Sequence, residues 1–275
     1  MKIKLIRILL IAMAVLSITC SLAMAAKRHI IILDKPVRVM ANDINGRDID
    51  EFDHYPLQVT IAYGADRYKF KTDLFLQNSN IKEALQKQKT LTSWKGPYLL
   101  VGWERGGGNR SRGYLDTVFM LKKGRLVYLG EVDSDSVGNG VFQDWYDKYE
   151  GNDLTSHAGS PVIRLVLEEK GGRLVVNLEK TWKENQQRLN QNIGLIDIVL
   201  KDKKMDSESK ANELSDPLLF HSVLAKYCKH KAELDDFLDL ARKKLDENKM
   251  TIFLQILSGV IPGELPRPAI KVMKY

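Results

Sequence analysis

Cysteine is nearly missing from this sequence of 275 residues, which holds only Cys20 and Cys228. A disulfide-stapled small fold is therefore excluded, and a chain of this length has enough core to need no staple. Long apolar runs are also missing beyond the first 26 residues, so no transmembrane segment is expected in the mature chain. Proline and glycine are modest at 8 and 19 residues, too few for a collagen-like or low-complexity chain. There is no large excess of one charge. Lys2, Lys4 and Arg7 belong to the leader-like start, which leaves 39 of the 42 basic residues against 35 acidic ones, a net +4. That balance lacks the basic face a nucleic-acid binder needs, and no nucleic-acid partner is expected.

Residues 1–25 read as a signal peptide. Lys2, Lys4 and Arg7 precede an apolar run from Ile8 to Leu16, and Ala23 and Ala25 then supply the small-residue spacing that signal peptidase accepts. Cleavage is expected after Ala25. An uncleaved anchor and a lipid on Cys20 are the competing readings, and Thr19 before that cysteine departs from the small residue usual there. Export then implies a periplasmic or secreted protein. Cys228 is left without an intramolecular partner, either as a buried small hydrophobe or as a thiol open to another molecule.

Hydrophobic periodicity divides the rest into a β-rich domain over 26–178, a helical segment over 179–262 and an extended tail over 263–275. The fold class expected is α+β, a mostly antiparallel sheet domain followed by helices. In the first part short β-branched and aromatic runs alternate with turn residues, as in His29–Leu33, Leu57–Tyr63, Tyr98–Trp103 and Leu115–Leu121. Asn80 to Gln88 interrupts them with a helical pattern whose Asn80 and Glu83 have capping-box spacing. Two hairpins resemble each other, one turning at Gly124 and one at Gly171 and Gly172, each followed by Arg-Leu-Val. Repetition of a sheet unit and ordinary hairpin chemistry both account for this.

Beyond Glu179, Thr181 to Gln191 is polar and weakly amphipathic, and Ile193 to Leu200 fits strand or helix equally. Lys201 to Lys210 reads as an exposed connector, and Asp216-Pro217 as a helix start. Phe220, Val223, Leu224, Tyr227 and Cys228 then share one helix face. Leu234, Phe237, Leu238, Ala241 and Leu245 mark a second helix, and Ile252, Phe253, Ile256 and Leu257 a third.

Three sets of residues carry possible chemistry. Arg105, Gly106, Gly107, Gly108, Asn109, Arg110 and Arg112 follow an apolar strand, where glycines let the backbone approach an anion and arginines neutralise it. This is the candidate ligand-binding loop. It lacks the Gly-Lys-Ser/Thr of a phosphate-binding P-loop, and a flexible hairpin loop with solvated arginines is the plain alternative. Asp133, Asp135 and Asn139 place side-chain oxygens at alternate positions before a glycine, and Asp144 lies twelve residues along counting from Asp133, an oxygen-rich loop of the kind a hard cation requires. The segment resembles a degenerate calcium loop of the EF-hand or VCBS-repeat kind, with Val137 where an oxygen ligand belongs. Asp43 to Glu51 has a similar look to the loops of VCBS and FG-GAP repeats, with Arg47 where an acid belongs. The resemblance implies calcium as the one conceivable cofactor; without it the chain carries none. Finally His29, His54, His157, His221 and His230 show no metal-ligand spacing.

The function expected is a non-enzymatic binding or interaction protein of the bacterial cell envelope, with an envelope protein or an acidic envelope component as partner. An envelope-acting hydrolase or transferase built from His54, Glu104, Asp116 or His157 is the alternative. A calcium-stabilised structural β protein is a second.

Overall fold

The computed structural model describes residues 29–43, 54–75, 81–104, 114–133, 140–146, 154, 162–266 and 271–275. The described residues are α+β, with antiparallel sheets first and helices toward the end of the chain. They form two compact units. The first holds the described residues up to Glu104, then Tyr114 to Val127 and the 271–275 segment; the second holds those from Tyr128 to Pro266.

In the first unit, strands β1 (His29–Leu33), β2 (Arg38–Asp43), β3 (His54–Tyr63) and β4 (Asp66–Phe75) form an antiparallel sheet in sequence order, and β12 (Met273–Lys274) adds to the free side of β4. Alternation sets one face: Val37, Val39 and Ala41, then Leu57, Val59 and Ile61, then Tyr68 and Phe70 are all buried. A second sheet holds β5 (Thr92–Lys95), β6 (Tyr98–Glu104), β7 (Tyr114–Lys122) and β8 (Arg125–Asp133). The chain passes from the first unit to the second within β8. Phe119 of β7 joins the two sheets: its ring lies 5.1 Å from that of Tyr68 in an edge contact and 5.9 Å from that of Phe70, stacked.

Helix α1 (Ile81–Thr90) fills the helical interruption read from the sequence. Its Gln88 is fully buried and ties three elements together. The amide accepts from Thr72 Oγ1 at 2.9 Å and donates to the Gly102 carbonyl at 2.8 Å, while the Gln88 carbonyl accepts from Thr92 Oγ1 at 2.8 Å. Gly102 must be glycine, because a Cβ there would sit 2.8 Å from the Leu91 carbonyl oxygen.

The second unit is built on β9 (Val141–Tyr146), β10 (Ile163–Lys170) and β11 (Arg173–Val176), with β10 in the middle. Helices α2 (Leu178–Glu184), α3 (Gln186–Lys201), α4 (Ser207–Cys228), α5 (Lys231–Lys244) and α6 (Glu247–Ser258) follow. The two look-alike hairpins are both present, at β7–β8 and β10–β11. Each turns on two residues with positive φ, Lys123 (49°) with Gly124 (73°), and Gly171 (65°) with Gly172 (84°), the geometry that matches strand twist.

Two expectations for the helices are corrected. The exposed connector does not extend to Lys210, because Asp206 caps α4 by accepting from the Ser209 N–H at 2.7 Å, and the helix begins at Ser207. Asp216-Pro217 is therefore not a helix start; Pro217 lies inside α4. The ambiguous Ile193 to Leu200 run is helical, in α3. Helix α4 also buries more than one face: Leu218, Leu219, His221, Ser222 and Ala225 are buried along with Phe220, Val223, Leu224, Tyr227 and Cys228. The half from Pro217 to Cys228 is enclosed nearly all round while Ser207, Glu208, Ser209, Asn212 and Glu213 stay exposed, and α2, α3, α5 and α6 pack against the helix.

Strand β11 pairs with Leu167–Lys170, and among the described residues the preceding half of β10 has no strand on that side. A row of polar side chains at helical spacing takes the place of the missing strand. Thr181 Oγ1 accepts from the Val166 N–H at 3.0 Å. The Asn185 amide accepts from the Arg164 N–H at 3.1 Å and donates to the Arg164 carbonyl at 2.9 Å, as a paired backbone would. Arg188 Nη1 donates to the Val162 carbonyl at 3.1 Å. Each of these bonds gives a partner to a backbone group on the side of β10 that β11 leaves uncovered.

Candidate functional site

Among the described residues the most elaborate ionic arrangement lies in the first unit, at Asp66. This residue opens β4 after the Gly64-Ala65 turn, and alternation turns it toward the buried face shared by Tyr68 and Phe70. Its carboxylate is only 2 % exposed. Four donors meet it. Arg125 binds in the bidentate manner, Nε to Oδ2 and Nη2 to Oδ1, each at 2.9 Å. The Leu126 N–H donates to Oδ2 at 3.0 Å, and Lys274 Nζ lies 3.0 Å from Oδ1.

The hydrogen bonds from Arg125 and Lys274, with that from Leu126, hold the Asp66 carboxyl well below the usual carboxylate range against the opposing effect of burial. Asp66 is thus a permanently ionised anchor and is unfit as a general acid near neutral pH. One carboxylate faces two cations, of which Arg125 is fixed by two bonds and Lys274 by one. Lys274 also lies 5.4 Å from the centre of the Tyr68 ring, whose hydroxyl donates to the Leu126 carbonyl at 2.8 Å. The centre holds an extended segment, 271–275, through its lysine.

Nothing in the sequence signalled this site. Asp66 reads as a turn residue, Arg125 as a hairpin residue and Lys274 as part of an extended tail; only strand pairing brings them together.

The ligand-binding loop expected at Arg105, Gly106, Gly107, Gly108, Asn109, Arg110 and Arg112 lies outside the described residues. So do Asp135 and Asn139 of the expected calcium loop, and His157. Asp133 and Asp144 are described. The Asp133 carboxylate accepts from the indole N–H of Trp145. Asp144, 1 % exposed, lies on the buried side of β9 with Phe142 and Tyr146, opposite to the side of Trp145, and accepts from the Trp145 backbone N–H at 2.8 Å. Among the described residues no three His, Cys, Asp or Glu side chains group so as to hold a metal.

Of the residues considered for catalysis, Asp116 is 5 % exposed on β7 beside Gly102. His54 and Glu104 contribute backbone to β3 and β6, and their side chains lie outside the described residues. His230 stacks on Trp182 with ring centres 3.9 Å apart, its Nδ1 3.3 Å from Glu233 Oε1.

The second unit buries two tyrosines against each other. The rings of Tyr146 and Tyr227 are 4.7 Å apart, and the Tyr227 hydroxyl donates to the Glu264 backbone carbonyl at 2.5 Å. Burial first, with Tyr146, Cys228, Glu264 and Asp144 adding to it, pushes the Tyr227 hydroxyl far above the usual phenol range. It stays protonated and pins the 261–266 segment. Burial likewise pushes the Cys228 thiol up to about 12, so this cysteine is an inert core residue rather than an available thiol.

His221 is fully buried between Phe220 and Phe237, the latter ring centred 4.3 Å away. Neither ring nitrogen makes a hydrogen bond of normal geometry. Burial lowers its pKa to about 4, the nearby Leu189 backbone works in the opposite direction, and the Arg188 charge adds to the lowering. Compared with protein families, with curated proteins and with solved structures, the chain matches none of them at a significant level.

Proposed function

We propose that the chain is an exported, non-enzymatic binding or interaction protein of the bacterial cell envelope, residing in the periplasm after removal of its first 25 residues. The observation that carries this reading is the Asp66 centre. A buried carboxylate with Arg125 and the Leu126 N–H as fixed partners holds the lysine of an extended segment whose backbone pairs with the edge of β4, the combination of main-chain pairing and side-chain pocket that strand addition uses. The leader-like sequence before Ala26 supports export.

The reading carries no resident cofactor. Calcium at Asp133, Asp135, Asn139 and Asp144 would raise the unfolding midpoint over that in chelator, and Asp135→Ala would abolish the rise. The reading itself is tested by fractionating cells that produce the untagged chain, detected with an antibody. Intact mass should show a start at Ala26 or Lys27, and crosslinking should capture an envelope component. Recovery in the cytoplasm with Met1 retained would sink the proposal.

A further inference from the structure

We infer that the outer edge of β4 is a strand-docking site for an extended segment of another protein, and that residues 271–275 are its resident, displaceable occupant. This gives the interaction reading a partner class and rests on that reading.

The register shows how the resident strand sits. Met273 faces Lys69 and Lys274 faces Tyr68. The Tyr275 N–H donates to the Arg67 carbonyl at 3.1 Å, so 275 with 67 is a hydrogen-bonded pair. By alternation 273 with 69 is another, and 274 with 68 is the pair whose side chains approach closest. That is why Lys274 crosses Tyr68 to reach Asp66.

The fit stops early. Strand β4 runs to Phe75, yet the resident strand is two residues long, and among the described residues no other strand pairs with that edge from Phe70 onward. Continuing the register would set Lys271 opposite Lys71, two exposed like charges on the outer face, where direct opposition is unfavourable. The outer face of β4 carries Arg67, Lys69 and Lys71 in a row. A better occupant keeps the inward lysine for Asp66 and presents an acidic residue opposite Lys71. The partner is therefore an extended segment with an inward lysine and an outward carboxylate three positions before it.

The resident strand is also short and exposed on its outer face. Met273 is 46 % exposed and Tyr275 64 %, and Lys274 contributes a second cation to a carboxylate that Arg125 already pairs bidentately. Its departure leaves the Asp66–Arg125 pair and the Leu126 bond in place.

The test uses the full chain with Met273→Pro, which removes one edge donor, and separately with Lys274→Glu, which keeps all backbone donors in case proline disturbs folding. The probes are labelled nonapeptides: Thr-Val-Thr-Val-Glu-Val-Met-Lys-Tyr, the same with Lys for Glu, and the same with Glu for the penultimate Lys. Both variants should bind the first peptide more tightly than the unaltered chain does. Either charge exchange in the peptide should weaken binding by about fivefold. Lys71→Glu, placed in the same backgrounds, should reverse the preference between the first two peptides. Equal binding of all three peptides, no binding to either variant, or a preference unmoved by Lys71→Glu would overturn the inference. Dimerisation of the unaltered chain that the first peptide fails to block would do so too, by assigning the edge to a second copy. None of these results bears on where the protein resides or whether an envelope component is captured, so failure here is distinct from failure of the proposed function.

Discussion

Replacing Asn185 by alanine should cost about 2–4 kcal/mol of stability, a large effect for one polar residue. Asn185 is 5 % exposed and makes three side-chain bonds: from the Arg164 N–H at 3.1 Å, to the Arg164 carbonyl at 2.9 Å and to the Thr181 carbonyl at 2.7 Å. Each bond is worth about 1 kcal/mol net, and a buried backbone group left unpaired costs about 1–3 kcal/mol. Arg164 is only half-buried, so water relieves part of the loss and the sum stays below its upper bound. Aspartate is the sharper probe. It would keep the acceptor for the Arg164 N–H but turn an oxygen toward two carbonyl oxygens, so Asn185→Asp should be at least as damaging as alanine above pH 5. Urea unfolding followed by far-ultraviolet circular dichroism gives the magnitude, and hydrogen exchange at the Arg164 and Val166 amides gives the location. An Asn185→Ala protein within 0.5 kcal/mol of the parent, on the scale of an ordinary surface change, with those amides still protected, would refute the idea that side chains stand in for a strand along β10.

Other outcomes follow from buried groups. His221 is folded with a pKa lowered to about 4 from 6.5, so the unfolded chain takes up its proton first as pH falls. Stability should therefore drop between about pH 6.5 and 4, by about 3 kcal/mol from this residue; His221→Leu should flatten that part of the pH profile, and an unchanged profile would deny the buried neutral ring. Leu224→Asp places an unpaired charge at a fully buried site on α4 and should cost several kcal/mol in thermal unfolding; an unaltered midpoint would mean that this helix is not enclosed. Gly102→Ala puts a Cβ 2.8 Å from the Leu91 oxygen and breaks the approach of α1 to β6, so the melting temperature should fall clearly, whereas Gly194→Ala, with open space around it, should be neutral or better.

The sequence by itself determined the class and most of the elements. Period-two alternation in Leu57–Tyr63 and the glycine turns at Gly124 and Gly171 are local properties, and local properties survive into the structure because they act within a few residues. The order of strands before helices followed from the same patterns. Helix boundaries were less legible. Asp216-Pro217 has the chemistry of a start, yet Asp206 caps earlier and burial of the second half of α4 outweighs what an interior proline costs. Tertiary structure alone decided the partnerships. Asp66, Arg125 and Lys274 are scattered along the chain and carry no shared spacing, and a hairpin turn and two antiparallel registers were needed to bring both cations to within 3.0 Å of the Asp66 carboxylate. Asn185 and Thr181 read only as polar residues of a weak helix; their role appears once β10 is seen to outrun β11. Pairing between distant segments depends on which backbone edges remain unsatisfied after the local elements form, and that quantity belongs to the assembled fold.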